Sequence, residues 1–172
     1  MTIRRTLLVL FASLPAVTLG LSVEDTWEYT TSDPGPGWER TDFKPAASWR
    51  QGKGGFGRQG TPGGRIHTEW LTPDIWLRGS HTVRSEAEIG RLALDLCHDE
   101  DVEVYINGIL ACRRRGYITR YARFPIEAAA RQALKVGENL VAVHCHQTVG
   151  GQFVDVGLTV PLQYARKEDW QA

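Results

Sequence analysis

Two histidines near the C-terminal end of the sequence stand at a spacing that suits metal binding. His144 and His146 flank Cys145 in an apolar segment with the character of a strand. Alternate residues of a strand point to one face, so both imidazoles lie on one side and Cys145 on the other. Such a pair can hold a metal ion with His98 or Asp155 as the third ligand. No third ligand stands at a diagnostic spacing, so histidines hydrogen-bonded on a half-buried face are the preferred interpretation, and no metal site is assigned.

An acidic run at residues 98–101 could bind a different ion. His98-Asp99-Glu100-Asp101 brings three carboxylates into one turn, and carboxylate oxygens are the ligands that calcium prefers. Adjacent residues cannot all point inward, however, and the EF-hand pattern is absent. We therefore expect a solvated turn and no cofactor, with a structural calcium ion as the open alternative.

Carboxylates are also the groups that cleave glycosidic bonds. Such a pair must face each other across a cleft, at roughly 5–10 Å. Asp99, Glu103 and Asp155 are available, but their positions in the sequence do not place any two of them opposite each other. No GxSxG motif for a nucleophilic serine is present either. We assign no catalytic residue, and a small metal-dependent hydrolase that uses His144 and His146 remains an alternative.

The first 20 residues have the character of a signal peptide. Arg4 and Arg5 precede an apolar run over residues 6–20 that ends in small residues and is broken by Pro15. The run is shorter than the ~20 residues that span a bilayer, which favours export to a secreted or periplasmic location over anchoring. The alternative is a short tethering helix that is not cleaved. The whole sequence has 20 basic and 20 acidic residues, a balance that does not suit nucleic-acid binding.

Residues 92–115 form the segment around which the fold is organised. Apolar residues alternate with polar or small ones through residues 92–106, the period of a strand buried on one face. Asn107-Gly108 follows, and these residues suit a type I′ hairpin turn because both positions need φ > 0. Across the chain we count about eight strands and one short helix over residues 125–134. This pattern predicts an all-β fold, an antiparallel β-sandwich of the jelly-roll type, over residues 21–162, followed by a polar tail at 163–172.

Several smaller features complete the predicted domain. Residues 27–31 are typical of an edge strand, and the charged residues 85–90 are expected to be a connection. Seven glycines within residues 51–65 include a formal GxGxxG match, but no buried strand precedes it and no helix can follow it, so we predict a loop. Three cysteines cannot all pair, and Cys145 is in phase with the apolar residues of its segment, which predicts a core position.

Five blocks of sequence together resemble the sugar-binding domain of glycoside hydrolase family 2. They are DIWLR at residues 74–78, VYING at 104–108, Gly116-Tyr117, LKVGEN at 134–139 and VAV at 141–143. The resemblance covers about residues 70–160 and implies a galactose-binding-like jelly roll. His81 and the ending at residues 150–158 depart from the family pattern. In that family this domain is an accessory module and the catalytic carboxylates lie in a separate barrel, so the expected partner is a catalytic glycoside hydrolase domain or protein.

Carbohydrate is the ligand that the resemblance implies for such a module. Sugar rings stack on aromatic faces, and planar amides and carboxylates bind their hydroxyls. Trp38 and Trp49, beside loops rich in proline and glycine, are the predicted stacking residues, and Gln147, Gln152 and Asp155 around the last loop are the predicted polar partners. For each tryptophan the alternative is packing inside the domain. A structural or protein-interaction module that binds no sugar is the alternative function.

Overall fold

A computed structural model describes residues 26–161, and the predicted signal peptide and C-terminal tail lie outside the described residues. The strands are β1 (Thr26–Thr30), β2 (Arg50–Lys53), β3 (Phe56–Gly57), β4 (Thr68–Glu69), β5 (Asp74–Val83), β6 (Ala93–Asp99), β7 (Asp101–Ile106), β8 (Ile109–Arg114), β9 (Ala122–Phe124), β10 (Gly137–His146) and β11 (Phe153–Thr159). The helices are α1 (Glu86–Ile89) and α2 (Ala128–Ala133). No helix in this part of the chain has the length and apolar character needed to cross a membrane.

The strands form two sheets that enclose one core. The six-stranded sheet has the order β2-β1-β5-β10-β7-β8, and the five-stranded sheet has the order β4-β3-β11-β6-β9. All pairings are antiparallel except β3 with β4. Alternate apolar residues of both sheets pack together, among them Leu94 and Leu96 from β6 and Val104 and Ile106 from β7. The predicted all-β sandwich is confirmed, because each sheet hides one face and leaves the other outward.

The predicted hairpin and helix are both present. Ile106 pairs with Ile109 across a two-residue turn, in which Asn107 and Gly108 have φ values of 50° and 86°. Helix α2 falls inside the predicted residues 125–134. β1, by contrast, is not an edge strand, because β2 covers its outer side.

A second helix, α1, stands where only a connection was predicted. The Ser85 side chain accepts a hydrogen bond from the Glu88 N–H, and the Glu88 carboxylate accepts one from the Arg84 N–H at 2.6 Å. A serine followed three residues later by a glutamate is the sequence signature of such a capped helix start. The signal was therefore present in the sequence.

The side-chain amides of Asn107 and Asn139 explain why the VYING and LKVGEN blocks occur together. The Asn107 amide donates to the Asn139 Oδ1 at 2.9 Å and to the Ala133 carbonyl at 2.8 Å, and its own Oδ1 accepts from the Leu140 N–H. Asn139 donates in turn to the carbonyls of Lys135 and Gly137. These bonds join the hairpin, the end of α2 and the start of β10, so the two blocks determine the fold rather than any chemistry.

The three cysteines are free thiols and all are buried. Cys145 lies in the core as predicted. Burial raises the pKa of Cys97 to about 11 and also raises the pKa of Cys145. Thiols that remain protonated at neutral pH are poor nucleophiles and poor metal ligands, which supports a packing role for these residues.

Candidate functional site

The outward face of the six-stranded sheet carries most of the polar side chains whose chemistry could serve a function. In β5 and β10, Ile75, Leu77, Val143 and Cys145 point into the core, so the residues between them point outward. The outward residues of this face are Glu28, Asp74, Trp76, Arg78, Ser80, Glu103, Tyr105, Glu138, His144 and His146. Neighbouring strands place them in rows, with Trp76 beside His144 and His144 beside Glu103.

A segment that we call the strap, residues 31–49, lies across the middle of this face. The Arg78 guanidinium holds it by donating from one nitrogen to the carbonyls of Trp38 and Arg40. The same guanidinium lies 5.3 Å from the centre of the Phe43 ring, and the Trp38 ring meets Tyr105 edge-on at 5.7 Å. Because only 7% of Arg78 is exposed, these contacts form in a site with little water. The strap separates two grooves on the same face.

The first groove, which we call the histidine groove, has a volume of about 140 Å³. Its polar lining residues are Asp101, Glu103, Arg113, Arg114, Arg115, His144 and His146. Asp74 Oδ1 lies 2.8 Å from both His144 Nε2 and His146 Nδ1. A carboxylate can only accept hydrogen bonds, so each imidazole donates one to it. The His144 ring also stacks on Trp76, with 4.8 Å between ring centres and 10° between planes.

The remaining charged groups of the histidine groove also have partners, and Arg114 among them donates to the Arg113 carbonyl and lies over the Phe124 ring. Arg113 lies 2.7 Å from Glu103, whose other oxygen accepts the hydroxyl of Tyr105. Burial, and then the hydrogen bond to Glu103, raise the pKa of Tyr105 to about 12. Asp101 accepts from the Gly116 N–H at 2.7 Å and pairs with Arg115 at 3.4 Å. A ligand in this groove would have to displace existing partners.

The two candidate third metal ligands do not join the histidines. His98 is 1% exposed, belongs to the five-stranded sheet and lies 2.5 Å from the Glu100 carbonyl. Asp155 points outward from that same sheet, because its neighbours Val154 and Val156 point into the core. Across residues 26–161, no group of three or more histidine, cysteine, aspartate or glutamate side chains is arranged so that it could hold a metal ion.

The carboxylates of the acidic run diverge. Glu100 accepts a hydrogen bond from the Thr148 N–H, and Asp101 accepts one from the Gly116 N–H. Of the three candidates for a glycosidase pair, Glu103 points outward from the six-stranded sheet, whereas Asp99 and Asp155 belong to neighbouring strands of the five-stranded sheet. The sandwich therefore lies between Glu103 and Asp155, and these two do not face each other across a cleft.

The structure distributes the five predicted sugar-binding residues over several places. Trp38 and Trp49 are both half-buried in the strap, and the Trp49 ring tilts against Phe43 at 6.1 Å. Gln147 is half-buried just after β10. Asp155 lies on the opposite side of the sandwich, where it accepts hydrogen bonds from the Gly55 N–H and the Tyr121 hydroxyl.

Gln152 requires a correction, because its side chain cannot reach a surface ligand. It is 1% exposed, and its amide donates to the Thr72 carbonyl at 2.6 Å. Its backbone also exchanges hydrogen bonds with the Thr61 hydroxyl. Gln152 therefore fixes two loops to the start of β11. The Gly-Gly pair that precedes it in the sequence indicates a loop and does not reveal this buried role.

The second groove, which we call the polar groove, lies on the other side of the strap and has a volume of about 500 Å³. Its polar lining residues include Glu28, Gln51, Arg78, Ser80, Lys135 and Glu138. Apart from Arg78, the side chains of these six make no hydrogen bond or ion pair with any other residue of the described chain. Sequence inspection missed this groove, because its residues come from β1, β2, β5, β10 and the loop before β10 and show no common spacing.

Comparison with known proteins gives a fold but no close relative. No family model matches the sequence, and no curated protein matches it. Solved structures do match, among them a glycosyl hydrolase family 2 member from Bacteroides cellulosilyticus (15% identity, TM-score 0.52) and a β-glycosidase from Bacteroides vulgatus (18% identity, TM-score 0.50). A Bifidobacterium dentium β-glucuronidase, complexed with coumarin-3-O-glucuronide, also matches (17% identity, TM-score 0.50).

These matches cover most of this chain and little of the enzymes. They span 77%, 80% and 74% of this chain, respectively, and about 20% of each matched chain. The protein is thus a β-sandwich with the architecture of one segment of family 2 glycoside hydrolases. The predicted resemblance is confirmed at the level of the fold.

Proposed function

We propose that this chain is a non-catalytic carbohydrate-binding module of a secreted protein associated with a glycoside hydrolase, and that it binds sugar in the polar groove. The observation that carries the proposal is the set of unpartnered polar side chains in a groove of about 500 Å³. Pockets of a few hundred Å³ accommodate small ligands, and this volume suits a short oligosaccharide.

The lining groups suit the hydroxyls of a sugar. Glu28 and Glu138 can accept hydrogen bonds, Lys135 can donate them, and the Gln51 amide and the Ser80 hydroxyl can do both. All five are exposed, so binding exchanges water for ligand without breaking an internal bond.

The strap borders this groove through Thr41 and carries Trp49, the aromatic residue that we assign to stacking. Trp49 lies two residues before Gln51, and Thr41 of the strap lines the groove directly. A half-buried Trp49 ring is available for stacking against the apolar face of a sugar. Trp38 stands on the opposite flank, over Tyr105.

The fold supports the accessory role. The chain spans about one-fifth of the length of the matched enzymes. A catalytic glycoside hydrolase domain or protein is the partner that this relationship favours. Export rests on the character of residues 1–20 alone.

Affinity gel electrophoresis and a glycan array with the full chain test the proposal. We expect wild-type protein to bind at least one glycan, and Gln51→Ala combined with Glu138→Ala to weaken binding about tenfold or more. Trp49→Ala should weaken it in the same way. Arg113→Ala in the histidine groove is the matched control and should retain wild-type affinity. Failure of wild-type protein to bind any glycan would overturn the proposal.

Protein interaction is the second candidate, and it rests on one end of the sandwich. Leu71, Tyr117 and Val149 are 53%, 65% and 75% exposed. Their loops meet there, since the Gln147 N–H donates to the Pro73 carbonyl and the Gly116 N–H donates to Asp101. Exposed apolar side chains favour contact with another protein. If that is the function, Leu71→Asp with Val149→Asp should abolish co-purification with a glycoside hydrolase catalytic domain and leave glycan binding unchanged.

A further inference from the structure

We propose that Leu140 is the residue of the polar groove on which the apolar face of a bound sugar ring packs. This inference rests on the proposed function, because it names a further binding residue of the same groove and the way a ring lies in it. It follows from the position of one apolar side chain among polar ones and from the bonds that hold its backbone.

Leu140 presents its side chain to the groove. Its neighbours in the chain, Asn139 and Val141, are 1% and 4% exposed, so the alternation of β10 directs Leu140 to the outward face of the sheet. Leu140 is half-buried there and lines the polar groove, whose other described lining residues are polar or glycine. Ser80 lies opposite it on β5, so a hydroxyl group stands beside this apolar surface.

The strap leaves Leu140 uncovered. Ala142, the next outward residue of β10, is 0% exposed and lies between Arg78 and Tyr105, the two side chains that contact the strap. Leu140 lies two residues before Ala142, on the side of the polar groove, and remains partly exposed. The apolar surface that the strap covers at Ala142 is therefore open to a ligand at Leu140.

Asn107 fixes the backbone of Leu140 from both sides. The Asn107 N–H donates to the Leu140 carbonyl, and Asn107 Oδ1 accepts from the Leu140 N–H, each at 2.9 Å. The Asn107 amide nitrogen already donates to Ala133 and Asn139. Although Asn107 also lines the groove, its side chain thus holds Leu140 in place, and a contact surface that is already fixed lowers the entropic cost of binding.

A sugar ring needs both kinds of surface that meet at this point. Its faces carry C–H groups, which gain from removal of water when they pack on an aliphatic side chain, and its edge carries hydroxyls. A ring whose face lies on Leu140 has its edge beside Ser80, across the strand pair, and Glu138, two residues away on β10. This contact is separate from the one assigned to Trp49, because Leu140 belongs to the sheet and Trp49 to the strap.

Isothermal titration of the full chain with neutral gluco- and galacto-oligosaccharides tests the inference. Leu140→Thr keeps a residue that favours strands but removes most of the aliphatic surface, and we expect about fivefold or more weaker binding. Leu140→Met retains the apolar volume and should bind within about twofold of wild type. Leu71→Thr, at an exposed leucine outside the groove, is the matched control and should keep wild-type affinity.

The heat-capacity change of binding gives a second readout, which does not depend on any variant. Burial of apolar surface makes it negative, so we expect a negative value for wild type and a smaller one for Leu140→Thr. Wild-type affinity in Leu140→Thr, an equal loss in Leu140→Met, or a wild-type heat-capacity change near zero would overturn the inference while the proposed function stands. A wild-type protein that binds no glycan would overturn both.

Discussion

The two grooves on the outward face of the six-stranded sheet share strands β5 and β10 but use their polar groups differently. In the histidine groove, Asp74 accepts from two histidines and Glu103 pairs with Arg113. In the polar groove, Glu138 and Lys135 have no such partners among the residues described. Internal pairs stabilise a fold, whereas unpaired exposed groups contribute little to stability and remain available to a ligand.

Strand register produces this difference. In the histidine groove, His146 lies opposite Asp74, and Arg113 lies opposite Glu103, so each acid meets a base on the next strand. In the polar groove, Glu138 lies opposite Thr82, which cannot neutralise it. Glu28 does lie opposite Arg78 and interacts with its charge, but the Arg78 guanidinium donates its hydrogen bonds to the strap. Cross-strand pairing therefore gives the acidic side chains of the histidine groove a basic partner, whereas Glu138 in the polar groove has none.

The largest effect is expected from removing the strap's anchor. Arg78→Ala deletes charged hydrogen bonds to two carbonyls, and we expect a loss of about 3 kcal/mol in the free energy of unfolding. The strap should detach, so the boundary between the grooves is lost and glycan affinity falls. Urea unfolding and isothermal titration measure the two effects.

Arg40→Ala is the control for that variant. Arg40 contributes its carbonyl to Arg78, but its exposed side chain forms a surface ion pair with Asp42. We expect a change below about 0.5 kcal/mol, since surface pairs contribute little. Equal unfolding free energies for Arg78→Ala and wild type would show that the strap is held by other contacts.

A pair of single substitutions separates the roles of the two grooves. Asp74→Ala leaves both histidines without their acceptor and should cost about 1–2 kcal/mol of stability while glycan affinity is unchanged. Glu138→Ala should do the reverse, with a stability change within about 0.5 kcal/mol and an affinity about fivefold lower. If Asp74→Ala lowered affinity and Glu138→Ala did not, the ligand site would belong to the histidine groove.

The smallest expected effect is the contribution of Tyr105 to the way the free energy of unfolding changes at alkaline pH. Its pKa is raised to about 12 in the folded protein, against about 10 in an unfolded chain. Between these values the native state keeps a proton that the unfolded state has lost, so this contribution is complete below pH ~10 and is lost as the pH rises toward 12. The unfolding free energy of Tyr105→Phe should therefore fall less steeply between pH 9 and 11 than that of wild type. Tyr117→Phe, at an exposed ring, serves as the control and should keep the wild-type slope.

Much of the fold could be predicted because its signals are local. The alternation through residues 92–106, the Asn107-Gly108 turn and the start of a helix after Pro125 each depend on neighbours in the chain. The one-turn helix α1 could also have been found, from the serine and glutamate that cap it. The position of β1 could not, because nothing local shows that β2 returns to cover it.

The candidate site was predicted less well, for a physical reason. Alternation showed that His144 and His146 share a face, and this was correct. It could not show that Asp74, some 70 residues earlier, would be their partner, nor that Gln152 would be buried. Those outcomes depend on strand order and on where loops cross.

The sequence by itself determined the strands, the hairpin turn, the short helix and the resemblance in fold, because each depends on residues close together in the chain. Only the tertiary structure decided which outward side chains meet. The order of the strands determined which acids and bases pair in the histidine groove. The contact of Arg78 with the strap separated the polar groove from it. A period of two assigns a residue to a face but not to a neighbour, and binding chemistry depends on neighbours.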